Sequence, residues 1–121
     1  MNTRVRNTLI QLAKTGESPI SYRRLINQVD LGLNMDIKHE KQLLGEILDE
    51  ISEEEYEEGR PLLSAMIQDK KAGQGDRFFK LCEGLGMGDW RELKKDEEFR
   101  NKEVGKCHDF WSQDSNYSKF F

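Results

Sequence analysis

Hydrophobic positions along the chain follow a helical rhythm for its first half. From Thr3 to Thr15, residues Val5, Leu9, Ile10, Leu12 and Ala13 draw one apolar stripe, with Arg4, Arg6 and Lys14 outside it. Gly16 is placed to terminate this helix, and Ser18-Pro19 prevents its continuation. Ser21 suits the N-cap of a second helix, stapled by Ile20 and Leu25 and facing Tyr22, Leu25, Ile26 and Val29 inward to about Leu31-Gly32. A third helix starts at Asn34 or Asp36 and buries Ile37, Leu44, Ile47, Leu48 and Ile51. The acids from Glu53 to Glu58 oppose the helix dipole, so its end is expected to be irregular.

The rhythm changes after Pro61. Leu62-Leu63-Ser64-Ala65-Met66-Ile67-Gln68 is short, almost wholly apolar and bounded by breakers, which predicts a buried strand. Asp69 to Asp76 reads as a polar turn punctuated by Gly73 and Gly75, and Arg77-Phe78-Phe79 as a returning strand. Phe78, Leu81, Cys82 and Leu85 also recur at helical spacing, so that strand passes into a helix ended by Gly86. Asp89 caps a further helical stretch that turns Trp90, Leu93, Phe99, Val104, Cys107, Phe110 and Trp111 inward. The tail, residues 113–121, shows no periodicity, although Tyr117, Phe120 and Phe121 can dock on a neighbour.

This order predicts an α+β domain over residues 1–112, of winged helix-turn-helix type: a three-helix core, a β-hairpin and C-terminal helices. The rival is a plain helical bundle with Leu62–Gln68 as a buried helix. Pro61 and the Gly73/Gly75 pair favour the hairpin. With 121 residues there is room for one core.

Gly59-Arg60-Pro61-Leu62-Leu63-Ser64-Ala65-Met66-Ile67, followed by Lys70, Gly75, Phe78-Phe79, Leu81 and Leu85-Gly86, resembles a family of small, uncharacterised bacterial winged-helix-like proteins. The likeness reaches back to Tyr22 and Glu53-Glu54-Glu55 and covers about residues 18–112. It implies a fold but no activity, and Gln74-Gly75-Asp76-Arg77 departs from the proline- and glycine-richer turn expected of that family. More distantly, Tyr22 at the start of the second helix and the proline-led run after the third are similar to the DNA-binding domain of alkylguanine-DNA alkyltransferase-like proteins. The Pro-Cys-His-Arg-Val signature of that group is replaced by Pro61-Leu62-Leu63-Ser64-Ala65, so the thiolate chemistry does not carry over.

Charge sharpens the functional expectation. Residues 1–41 hold seven Lys/Arg against four Asp/Glu, whereas residues 42–60 hold one Arg and eight acids. A chain so divided can present a basic face to a polyanion, although a solvated helix face accounts equally well for the acidic block. In a winged domain, Ser21, Arg23 and Arg24 on the second helix, Lys38, His39, Lys41 and Gln42 on the third, and Lys70, Lys71 and Arg77 around the wing converge on a duplex. The cations neutralise phosphates, and Gln42 and His39 reach base edges. DNA is therefore the expected partner. The alternative is a protein-protein interaction module or homodimer using the aromatic residues Trp90, Phe99, Phe110, Trp111, Tyr117, Phe120 and Phe121.

Catalytic sets are not expected. Cys107-His108-Asp109 collects a thiol, an imidazole and a carboxylate, but neighbours on a helix diverge by about a hundred degrees. His39-Glu40-Lys41-Gln42-Leu43 lacks the second histidine of a zinc-protease helix. Asp49, Glu50, Glu53, Glu54 and Glu57 lack a calcium-binding loop, and Gly73-x-Gly75 lacks the lysine or third glycine of a phosphate loop. The expectation is a non-enzymatic protein with no cofactor and no metal. Cys82 and Cys107 are expected to stay reduced in a cytoplasmic setting. No apolar run approaches the roughly 18–20 residues of a membrane span.

Overall fold

Helix α1 (Thr3–Lys14) begins at Asn2, whose side chain accepts the Val5 amide at 3.0 Å. It ends where Gly16, at φ +71°, lets the Gly16 and Glu17 amides reach back to Ala13 and Leu12. A computed structural model describes residues 1–68 and 76–121. Helix α2 (Tyr22–Val29) is capped by Ser21, which accepts from the Arg24 amide at 3.2 Å, and both staple residues, Ile20 and Leu25, are buried. Helix α3 (Lys38–Glu57) starts later than the Asn34 or Asp36 expected. Asn34 instead ties down the Asp36 amide at 2.8 Å, and Ile37 stands at the N-cap with no side-chain hydrogen bond. At its far end α3 runs regularly through the acidic residues to Glu57, because Glu55 and Ile51 face inward and packing outweighs the dipole.

The α+β winged helix-turn-helix is not what forms. Among the described residues there are seven α-helices and no strand longer than the single parallel bridge between Ile20 and Ile67. Leu62–Gln68, expected as a strand, is a buried connection centred on a 3₁₀ turn, Leu63–Met66. The reason lies in where its backbone groups find partners. A strand needs a ladder, and here two rungs join Ile20 to the Met66 carbonyl (2.9 Å) and the Gln68 amide (2.8 Å). Other groups bond within the turn, the Ala65 amide to the Leu62 carbonyl and the Ile67 amide to the Ser64 carbonyl (both 3.1 Å), or to side chains: Ser52 Oγ accepts the Ser64 amide (3.0 Å), Glu103 Oε1 accepts the Leu62 amide (3.1 Å), and Cys107 Sγ donates to the Leu62 carbonyl (3.4 Å). A short apolar run can be a buried strand or a buried turn, and its surroundings choose.

The returning strand does not form either, because the helical spacing of Phe78, Leu81 and Cys82 begins with Asp76. Arg77-Phe78-Phe79 lies in the first turn of α4 (Asp76–Gly84), where Phe78 and Phe79 meet edge-on at 5.5 Å and both lie near Phe99 (6.3 and 6.1 Å). The polar turn proposed as the wing, including Lys70, Lys71, Gly73 and Gly75, lies outside the described residues.

Asp89 and Asp96 divide the C-terminal third into α5 (Trp90–Lys95) and α6 (Glu97–Trp111), each carboxylate accepting from the first-turn amides of its helix. Residues expected as an aperiodic tail form α7 (Asp114–Phe120). Two apolar clusters result. The larger joins α1, α2, α3, the 3₁₀ turn and α6 around Leu9, Ile10, Leu25, Leu44, Ile51 and Trp111. The smaller packs Leu62 and Ala65 on Phe78, Phe79 and Cys82, with Trp90, Leu93 and Phe99 at its edge.

Both thiols are inside these clusters. Burial, reinforced by the nearby Glu103 carboxylate, pushes the Cys82 thiol up to about 12. The same causes, with Glu55 added, raise Cys107. Neither cysteine is expected to react with a thiol-specific disulfide reagent until the protein is unfolded, which stopped-flow labelling with and without denaturant will measure. Between the ordinary 9.0 of Cys82 and about 12, the folded chain keeps a proton that the unfolded chain loses. Stability is therefore expected to fall as pH rises through that window.

Candidate functional site

Five of the nine residues expected to contact DNA stand on the first turns of two helices, Arg24 on α2 and Lys38, His39, Lys41 and Gln42 on α3. Arg24, Lys38, His39 and Gln42 are exposed there, and the Lys41 ammonium lies 5.6 Å from the centre of the Tyr22 ring. Arg24 and Lys38 form no ion pair with any of the described residues. The opening of α3 adds partial positive charge, since Ile37 supplies no cap to its first amides.

The other four residues stand differently. Arg23 is paired with Asp36, Nη2 to Oδ1 at 2.5 Å, on the surface. Arg77, about a third exposed, is paired with Asp49 (Nε 3.1 Å, Nη2 3.0 Å). Gly45 makes this possible: a Cβ there would stand 2.5 Å from Arg77 Nε, so the missing side chain is the seat of the guanidinium. Lys70 and Lys71 lie outside the described residues.

The acidic block is continuous with this basic end. Beyond His39 and Leu43, the outward stripe of α3 continues as Glu46, Glu50, Glu53 and Glu57, all exposed. A duplex laid along α3 would meet this row of carboxylates, so the basic surface is confined to the first turns of the helix. The same turns carry two of the large apolar side chains exposed to solvent, Ile37 (38%) and Leu43 (46%). Next to them Arg23, Ile26, Leu33 and Met35 line an open cavity of about 270 Å³.

Arginine is also present inside the protein, at a place sequence reasoning missed. Between α2, α3, α4 and α6 a small cavity of about 20 Å³ is lined by Asp49, Ser64, Arg77, Phe78 and Arg100, among others. Arg100 lies over the Phe78 ring (5.1 Å), and its Nε is buried without a hydrogen-bond partner. Burial lowers the Arg100 guanidinium from its usual value and raises the Asp49 carboxyl, the latter opposed by Arg77 and assisted by Glu53 and Glu46. No sequence signal marks Arg100, which stands in a solvated run, Glu97-Glu98-Phe99-Arg100-Asn101-Lys102.

The Cys107-His108-Asp109 set disperses. Cys107 points at the Leu62 carbonyl, whereas His108 Nε2 lies 2.8 Å from the Glu17 carbonyl oxygen on the other side of the helix. Most of the aromatic residues considered for a partner seam are used internally: Trp111 is fully buried, Phe110 and Phe120 stack at 5.9 Å, and Trp90 and Phe99 pack on the smaller cluster. Phe121 remains 46% exposed. No helix among the described residues is long and apolar enough to cross a membrane. No protein-family model matches this chain, and no curated protein or solved structure matches it significantly.

Proposed function

We propose that this chain is a binding protein that holds a nucleic-acid backbone end-on, through the α2–α3 end. The observation that supports this reading is the exposure of Lys38 and His39 at an α3 N-terminus that has no side-chain cap, with Arg24 exposed on the first turn of α2. Such a patch neutralises few phosphates. A fluorescence-anisotropy titration on a short duplex is expected to give weak binding, with log K falling against log salt at a slope of about −3, the value for some three phosphates. Reversing Arg24 and Lys38 together to Glu is expected to weaken binding at least about tenfold at low salt and to flatten that slope. Absence of binding at about 50 mM salt would remove the reading.

A protein partner is the second reading, favoured by Ile37 and Leu43, which a phosphate backbone does not use. An acidic segment with apolar side chains matches their combination with the Ile26, Leu33 and Met35 cavity. The double change Ile37→Ser and Leu43→Ser separates the two: it spares DNA binding in the first reading and abolishes peptide capture in the second.

A further inference from the structure

We infer that Gln113 is a hinge at which α7 leaves its own chain and docks in the same seat on a second copy. Ser112 still has helical angles (φ −73°, ψ −16°), and its amide donates to the His108 carbonyl at 3.0 Å. Gln113 alone departs, at φ −79° and ψ 119°, before α7 begins at Asp114. Its φ is close to helical, so rotation of one ψ angle joins α6 and α7 into a continuous helix. From Trp111 to Phe120 there is no Gly or Pro to oppose that helix. In the bent form side chains occupy the carbonyls left over at the end of α6. Ser112 Oγ and Gln113 Nε2 donate to the Asp109 carbonyl, each at 3.2 Å, and Asn116 Nδ2 donates to the Phe110 carbonyl at 3.0 Å. In the straight form the Gln113 and Asp114 amides reach the same two carbonyls, so neither form orphans them.

The seat of α7 is present on every copy of the chain. None of the α7 residues is buried. Phe120 stacks on Phe110 at 5.9 Å, with the Arg60 guanidinium 5.2 Å from its ring. Arg6 Nη2 donates to the Phe120 carbonyl at 2.8 Å, and Gln11 Nε2 donates to the Tyr117 hydroxyl at 2.6 Å. A helix of this length does not persist without tertiary support, and the seat of a second copy reproduces each of these contacts. Two chains that exchange α7 form a closed two-fold dimer, favoured by concentration and by the two straightened hinges. The seat and the α2–α3 surface share no residue.

Full-length chain, half of it labelled with heavy nitrogen, is unfolded in urea, mixed and refolded at millimolar concentration. A carbodiimide then joins Lys14 Nζ to the Asp114 carboxylate, which lie 3.4 Å apart. Light scattering is expected to show a dimer, and its Lys14–Asp114 cross-links are expected to join labelled to unlabelled peptides. No dimer, or a dimer whose cross-links join only peptides of the same isotope, overturns the inference. Two changes at the exposed Gln113 move the equilibrium in opposite directions. Gln113→Asp caps α7 in the bent form and is expected to weaken dimerisation about tenfold. Gln113→Ala favours the continuous helix and is expected to strengthen it several-fold. Any other order of the three proteins overturns the hinge, and DNA binding by Arg24 and Lys38 is the same in all of them.

Discussion

Replacing Glu55 by alanine is expected to destabilise the protein by about 3–5 kcal/mol, the cost of leaving a buried charge without its partner. Glu55 is fully buried and lies between two arginines from distant parts of the chain. Arg6 Nε donates to Oε1 at 2.6 Å, and Arg60 Nε donates to Oε2 at 2.5 Å, with side-chain exposures of 9% and 14%. Each guanidinium also rests near an aromatic ring, Arg6 by Trp111 (5.7 Å) and Arg60 by Phe120 (5.2 Å). Without the carboxylate, two cations face each other in a site that excludes water. Arg6 Nη2 also donates to the Phe120 carbonyl at 2.8 Å, so α7 should loosen as well. Glu55→Gln keeps the shape and one acceptor and is expected to lose less than the alanine variant. Urea unfolding followed by far-UV circular dichroism measures both. A loss below about 1 kcal/mol for Glu55→Ala would mean that the arginines find other partners.

Trp111→Ala is the second large effect expected, again about 3–5 kcal/mol, the range for emptying a large aromatic site in a core. Trp111 is wholly buried and meets Phe110 edge-on at 4.9 Å. Its Nε1 is buried with no hydrogen-bond partner, so part of its burial opposes folding. Trp111→Phe removes that orphaned donor along with some apolar area and is expected to cost clearly less than the alanine change. The comparison is made by the shift of the urea midpoint at unchanged slope. Equal losses for the two variants would indicate that the ring fills its site too loosely for shape to matter.

Legibility varied along the chain for physical reasons. The caps Ser21, Asp89 and Gly16 were readable because capping joins residues a few positions apart. The buried stripes of α1 and α2 were readable because a helix repeats its facing on a fixed period. Leu62–Gln68 was misread as a strand, since uniform burial erases the alternation that distinguishes a strand from a turn. Arg77 looked like a wing contact because nothing in the sequence shows that Gly45 opens a path to Asp49. Arg24 stands on the helix start that Ser21 marked, whereas Lys38 and His39 open a helix that starts later than Asn34 or Asp36 predicted. The acidic residues after Glu46 were also visible, but which of them face outward depended on where α3 packs.

The amino-acid order on its own determined the positions of α1 and α2 to within a few residues, most of their inward side chains, and the segregation of charge between residues 1–41 and 42–60. Tertiary structure decided that Leu62–Gln68 turns instead of extending, that Glu55 draws Arg6 and Arg60 into the interior, and that Arg100 borders a cavity. Periodicity and capping act over a few residues and can be seen in a line of text. Hydrogen-bond partners for a buried backbone and counter-charges for a buried side chain come from segments far apart in sequence, such as Arg6 and Glu55, and exist only once the helices have packed.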